Sequence, residues 1–230
     1  MERYVIHACK DRMWYVDEFI IPSMLKQGIA MDEILVWCDT ERKGNLLSCI
    51  ECFEHCGKSE GGCWHLQDDV LLAPDFAKRT RLADDRIECG FCHILFEKEK
   101  GRSVEHVGEV EAWQMWSSFP CTYIPNRLAG EFAEWYYTKA SYRPEYQMLI
   151  FDKHGDDRFF RDFIDELHPN EKVFNHVPAL VDHVDWLIGG SVANRLRGTN
   201  CRAYYWRDDG MVESLKNTLR KGEHRNGVLF

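Results

Sequence analysis

Two aspartates, Asp68 and Asp69, stand side by side at the end of the apolar run Trp64, His65, Leu66. Adjacent carboxylates at a strand end supply the oxygen ligands that Mg²⁺ or Mn²⁺ prefers, and such an ion neutralises the charge of a departing diphosphate. The same residues would also suit a solvated turn that leads into a helix. A second acidic pair, Asp156 and Asp157, follows Gly155 and opens an amphipathic pattern. There the helix dipole and free N–H groups keep a carboxylate ionised, the state a general base needs, although plain N-capping would use the same residues. A third group is sulfur-based: Cys49-x-x-Cys52 and Cys89-x-x-Cys92, with Cys56, Cys63, His55, His65 and His93 nearby. Paired thiolates cage Zn²⁺. However, Cys49, Cys52 and Cys56 fall on one face of a helical pattern with Leu46 and Phe53, which also describes reduced thiols in a core.

These residues need a scaffold. Residues 3–8 predict a short strand, 14–27 a helix ended by Gly28, and 33–38 a nearly continuous apolar strand closed by Asp39 and Thr40. Helical spacing returns over 45–56, a strand over 64–67 delivers Asp68 and Asp69, and Pro74 opens a helix over 75–83. Strand and helix alternate three times. That order predicts an α/β, Rossmann-like fold with a mostly parallel sheet flanked by helices and ligands at the strands' carboxyl ends, where Asp39, Asp68 and Asp69 fall. Further along, 86–96 predicts a strand region, 125–138 a helix, 148–152 a strand and 156–167 a helix. Without repeats or linkers, one main domain is expected over 1–190, with 191–230 as a basic, aromatic extension packed on it.

Residues 61–76 (GGCWHLQDDVLLAPDF) resemble the acidic motif of GT-A glycosyltransferases, in which an apolar strand runs into acidic residues and then a Pro-x-Phe helix start. The resemblance implies that Asp69 binds the metal, with Asp68 beside it, and that Gln67 stands where the family's first carboxylate usually lies. Gln67 can bond a ribose but adds no charge. Asp39 would hold the base or ribose, and Arg12, in Lys10-Asp11-Arg12 after the first strand, the diphosphate. His154-Gly155-Asp156-Asp157 looks like the second acidic motif of inverting members, which makes Asp157, ahead of Asp156, the base. The stretch Val177 to His183 with Gly189-Gly190-Ser191 resembles a late motif in which a histidine completes the metal shell. With His183 as that ligand, the preference shifts towards Mn²⁺ over Mg²⁺. The activity implied is an inverting hexosyl transfer from a nucleotide sugar, UDP-linked by expectation, to an acceptor hydroxyl.

Composition bounds the alternatives. The chain has 230 residues, 45% of them apolar and 13% aromatic, which is ample for a core. A net charge of −9 opposes a general nucleic-acid coat or an anionic-membrane binder. Within 191–230, however, eight basic residues face four acidic ones, and with Tyr204 to Arg207 this leaves room for a nucleic-acid acceptor such as a hydroxymethylated base. Lys10, Asp11, Arg12, Asp17 and Glu18 interrupt any apolar leader, so a cytoplasmic chain with reduced cysteines and no membrane anchor is expected. Two other readings use the same residues: a noncatalytic, zinc-stabilised interaction protein, and a nucleotidyltransferase on a similar fold.

Overall fold

A computed structural model describes residues 3–91, 108–111, 119–153, 155–189 and 209–221. The sequence motifs at Cys92, His93, His154, Gly190-Ser191 and Tyr204 to Arg207 lie outside them. Strand β1, Tyr4–Cys9 (YVIHAC), is buried along nearly its whole length, as its apolar run requires of a strand covered on both faces. It pairs in parallel with β2, Ile34–Asp39, on one side and β3, Cys63–Gln67, on the other. Next come β4 (Val70–Leu72), β5 (Ile87–Cys89), β6 (Gly108–Glu111), β7 (Cys121–Ile124), β8 (Lys172–Asn175) and β9 (Val181–His183).

The main sheet has the order β2-β1-β3-β7-β5-β8-β6, and β4 pairs with β9 in a separate two-stranded sheet. β7 is antiparallel to both β3 and β5, and β6 is antiparallel to β8, whereas β5 and β8 are parallel. Five strands therefore run one way and two are reversed, which makes a mixed α/β sheet with one dominant direction.

Alternation along the strands divides the core. Val5, with Phe53, Phe119, Phe132 and Phe160, belongs to a cluster under the helices Asn45–Cys56 (α2), Asn126–Thr138 (α4) and Asp156–Leu167 (α6). Tyr4, Ile6, Trp64 and Leu66 belong to a second cluster with Val181 and Val184, which Val212, Leu215 and Leu219 of the helix Asp209–Lys221 (α7) join. The first helical segment, 13–26 (α1), contains a π-helical stretch, Val16–Ile20, and ends at Gly28, whose φ of +82° lets the chain reverse. No helix among the described residues is long and apolar enough to cross a membrane.

Most expected elements lie where the pattern puts them, α2 and α6 with the same bounds. The helix expected over 75–83 is shorter, Phe76–Thr80 (α3). The expected strand over 148–152 is instead a helix, Gln147–Asp152 (α5). Its apolar run misleads because only Leu149 and Ile150 pack against the core, while Met148 and Phe151 are 74% and 85% exposed. A short apolar run has no period that separates a strand from one helical turn.

Candidate functional site

The turn between β3 and β4 consists of Asp68 and Asp69, both buried. Register brings it a histidine: β4 pairs antiparallel with β9 so that Val70 faces His183. His183 Nε2 then lies 3.2 Å from Asp69 Oδ2, and its Nδ1 lies 3.6 Å from Asp185 Oδ1. The Val184 N–H donates to the Asp69 carbonyl at 2.8 Å and locks the two turns together. From the end of β1, the Cys9 N–H donates to Asp68 Oδ2 at 2.7 Å. Arg12, buried in the 3₁₀ turn Lys10–Arg12, donates from Nη1 to Asp68 Oδ1 at 2.9 Å and also to Asp69 Oδ2. Three separate elements therefore converge on one acidic turn.

The electrostatics follow from burial and these contacts. Burial raises the Asp68 carboxyl above its ordinary value, and the charge of Asp69 adds to this against the pull of Arg12. Burial would raise Asp69 too, but His183 and Arg12 override it and hold that carboxyl well below the usual range. Burial would lower His183, yet its neighbour Asp69 raises it. Asp185 is raised by burial.

Asp69 Oδ1 and Asp185 Oδ2 are buried without a hydrogen-bond partner among the described residues. Carboxylates beside an imidazole, with buried oxygens left over, form a donor set that suits Mn²⁺, and suits Mg²⁺ less well because of the nitrogen. In the structure Arg12 is the internal cation between the two aspartates. The expectation put Arg12 on a ligand diphosphate; the described contacts put it on the acidic pair.

Asp156 and Asp157 open α6 near the start of α2. Asn45 Nδ2 donates to Asp156 Oδ1 at 2.7 Å, and the Arg158 N–H donates to Asp157 Oδ1 at 2.7 Å. Burial opposes the helix terminus at this pair. Burial, and then Asp157, pushes Asp156 up to about 7, and burial raises Asp157 as well. Desolvation is strongest at Asp156, which lies against Asn45 in the seam between α2 and α6. Among the described residues no hydrogen bond or ion pair joins this pair to Asp68 and Asp69.

Asp39 closes β2 and spends both oxygens on its own turn, accepting from the N–H groups of Lys43 at 2.9 Å and Gly44 at 2.8 Å. With Trp37, Lys43 and Glu51 it lines a shallow depression of about 120 Å³, smaller than a nucleoside needs. Gln67, half-buried, ends β3 beside His7 of β1 in register. Two residues went unassigned in the sequence. Asp185 reaches the site through the β9 turn, for which there is no local signal. His7 carries a visible one, a polar residue inside an otherwise apolar strand. No protein-family model matches the chain, and no curated protein matches it.

Proposed function

We propose that this chain is a metal-dependent glycosyltransferase of the GT-A type, inverting at the sugar carbon, which takes a nucleotide diphosphate sugar, UDP-linked, to an acceptor hydroxyl. The observation that carries this reading is the convergence of Asp68, Asp69, His183 and Arg12 at the carboxyl ends of β1 and β3. The five-to-two strand direction of the sheet supports it as well.

In this reading Asp69 and His183, with Asp68, hold Mn²⁺ or Mg²⁺, and the bound ion supplies charge neutralisation to the leaving diphosphate. Arg12 is the resident counter-ion of the aspartates. Turning its guanidinium towards a diphosphate would free carboxylate oxygens and give the phosphate a forked donor. Asp185 orients His183 through Nδ1 and leaves Nε2 facing Asp69. Gln67 lies at the same end of the sheet for the ribose, while Asp39 shapes the β2 turn with both of its oxygens. Asp157, the less buried of its pair, would take the acceptor's proton, while Asn45 holds Asp156 beside it.

The test is thermal unfolding of the full chain with UDP- and GDP-sugars, each with and without Mn²⁺, repeated on Asp69→Asn. At a ligand concentration 100 times Kd, binding stabilises by about 2.7 kcal/mol, which is roughly 5–10 °C for a domain of this size. A Mn²⁺-dependent shift with one donor class, absent in the variant, supports the reading. No shift with any donor, or one unchanged in Asp69→Asn, overturns it.

A further inference from the structure

Separate from the acidic turn, a second cluster is buried between the sheet and α2. Its donors come from three elements: His7 of β1, His65 of β3 and Cys49 of α2. In the β1–β3 register Val5 faces His65 and His7 faces Gln67, so the histidines are diagonal neighbours on one face of the sheet, with ring centroids 5.5 Å apart. The helix above lays Cys49 over them. One ring nitrogen from each histidine and the Cys49 sulfur all lie within 4.8 Å of one another. The cluster is closed to solvent, with His7 at 6% exposure and His65 and Cys49 at 0%.

Ordinary core packing does not account for these polar atoms. His65 packs tilted against Phe53 and edgewise on Phe119, close to the Phe119 backbone, and neither of its ring nitrogens has a hydrogen-bond partner among the described residues. Asp156 approaches the Cys49 side chain, and while its Oδ1 accepts from Asn45, its Oδ2 is buried with no hydrogen-bond partner. Buried polar atoms left unpaired are costly and are normally resolved by a bond, a water or an ion.

We propose that His7, Cys49 and His65 form a buried Zn²⁺ site, with the Asp156 carboxylate beside Cys49 completing the charge balance. Two neutral imidazoles and a thiolate are the ligands a borderline-soft d¹⁰ ion takes, and they distinguish this site from the oxygen-rich turn at Asp68. Burial keeps the imidazoles neutral, His7 being lowered to about 4. Binding releases the Cys49 thiol proton to solvent, together with the proton of Asp156 where that carboxyl is neutral, so thiolate and carboxylate together match the charge of the ion. In a tetrahedral site, ligand atoms stand roughly 3.5 Å apart, so donors that all lie within 4.8 Å of one another need only a small closure as the ion enters. The ion would tie α2 to the two central strands as a structural clamp.

Co²⁺ is the probe. The full chain is refolded from guanidinium with one equivalent of Co²⁺, and the thiolate-to-cobalt charge-transfer band and the tetrahedral ligand-field bands are recorded. The expected result is saturation at one Co²⁺ per chain, loss of the charge-transfer band in Cys49→Ser and weakening in His65→Asn, and full retention in Asp69→Asn. Far-UV circular dichroism establishes that each variant folds. Native mass spectrometry of the wild-type chain from zinc-supplemented cells needs no variant, and one retained Zn²⁺ is expected. A folded wild-type chain without a thiolate band and without zinc, or a band that persists in folded Cys49→Ser, overturns the proposal.

Discussion

Arg12 Nη1 stands 2.9 Å from Asp68 Oδ1 and bonds Asp69 Oδ2 as well, so one buried guanidinium holds two adjacent buried aspartates. Removing it leaves two like charges in a desolvated turn. We expect Arg12→Met to cost about 3–5 kcal/mol in the absence of divalent cations, the range for breaking a buried ion pair from one side. Mn²⁺ should restore a large part of that loss, because the vacated position is what a cation needs. Urea unfolding with and without Mn²⁺ measures both numbers, and an equal loss in the two conditions would make Arg12 a purely structural residue.

His183 brings an imidazole nitrogen to that turn, 3.2 Å from Asp69 Oδ2. Replacing it by Gln exchanges imidazole for an amide and leaves only oxygen-type ligands, which favours harder ions. His183→Gln should therefore weaken Mn²⁺ by about 10–100-fold and Mg²⁺ by much less, narrowing the difference between them. Isothermal titration with each ion checks this, and parallel losses for both would remove His183 from the coordination shell.

The elements that position the site were more legible than the site itself. α2 and α6 repeat apolar residues at helical spacing over three turns, and that period survives into the structure unchanged. β7 is four residues long without alternation, so nothing local marks it as a strand or reveals that it runs against its neighbours. The acidic turn was visible as two carboxylates after an apolar strand. Arg12 on that turn, and His183 opposite Val70, depend on pairings between distant segments that no local pattern encodes. The raised Asp156 carboxyl has a related cause: the helix dipole is a local property, whereas the desolvation that opposes it comes from α2 packing across it.

Arg143 binds Glu166 through Nη1 at 2.7 Å and also lies over the Trp135 ring, 5.5 Å from its centroid. The hydrogen bond from Arg143 lowers the Glu166 carboxyl below its ordinary value of 4.5. A depressed carboxyl contributes stability above its unfolded pKa and loses it as pH falls through the lower native value. Arg143→Ala should thus cost up to about 1 kcal/mol at pH 7, with both groups partly exposed and screened, and less near pH 3, where only the ring contact remains. Unfolding midpoints of the two proteins across that range test the sign, and a cost that grew on acidification would contradict it.

The close approach of α2 and α4 depends on two glycines that are not equivalent. A Cβ on Gly57 would come 2.6 Å from the Gly130 Cα, a distance no real pair of carbons accepts, whereas a Cβ on Gly130 would stand 3.7 Å from the Gly57 Cα, an ordinary contact. Gly57 lies at φ −63°, so its requirement is space rather than backbone freedom. Gly130 lies inside α4, where alanine is worth up to about 1 kcal/mol over glycine in a helix interior. Gly130→Ala should therefore be neutral or stabilising by up to that amount, while Gly57→Ala should cost about 1–3 kcal/mol by forcing the helices apart over a core that includes Phe53 and Phe132. Chemical denaturation of the two single variants decides the matter, because equal costs, or a larger one at Gly130, would mean that the helices do not cross at these residues.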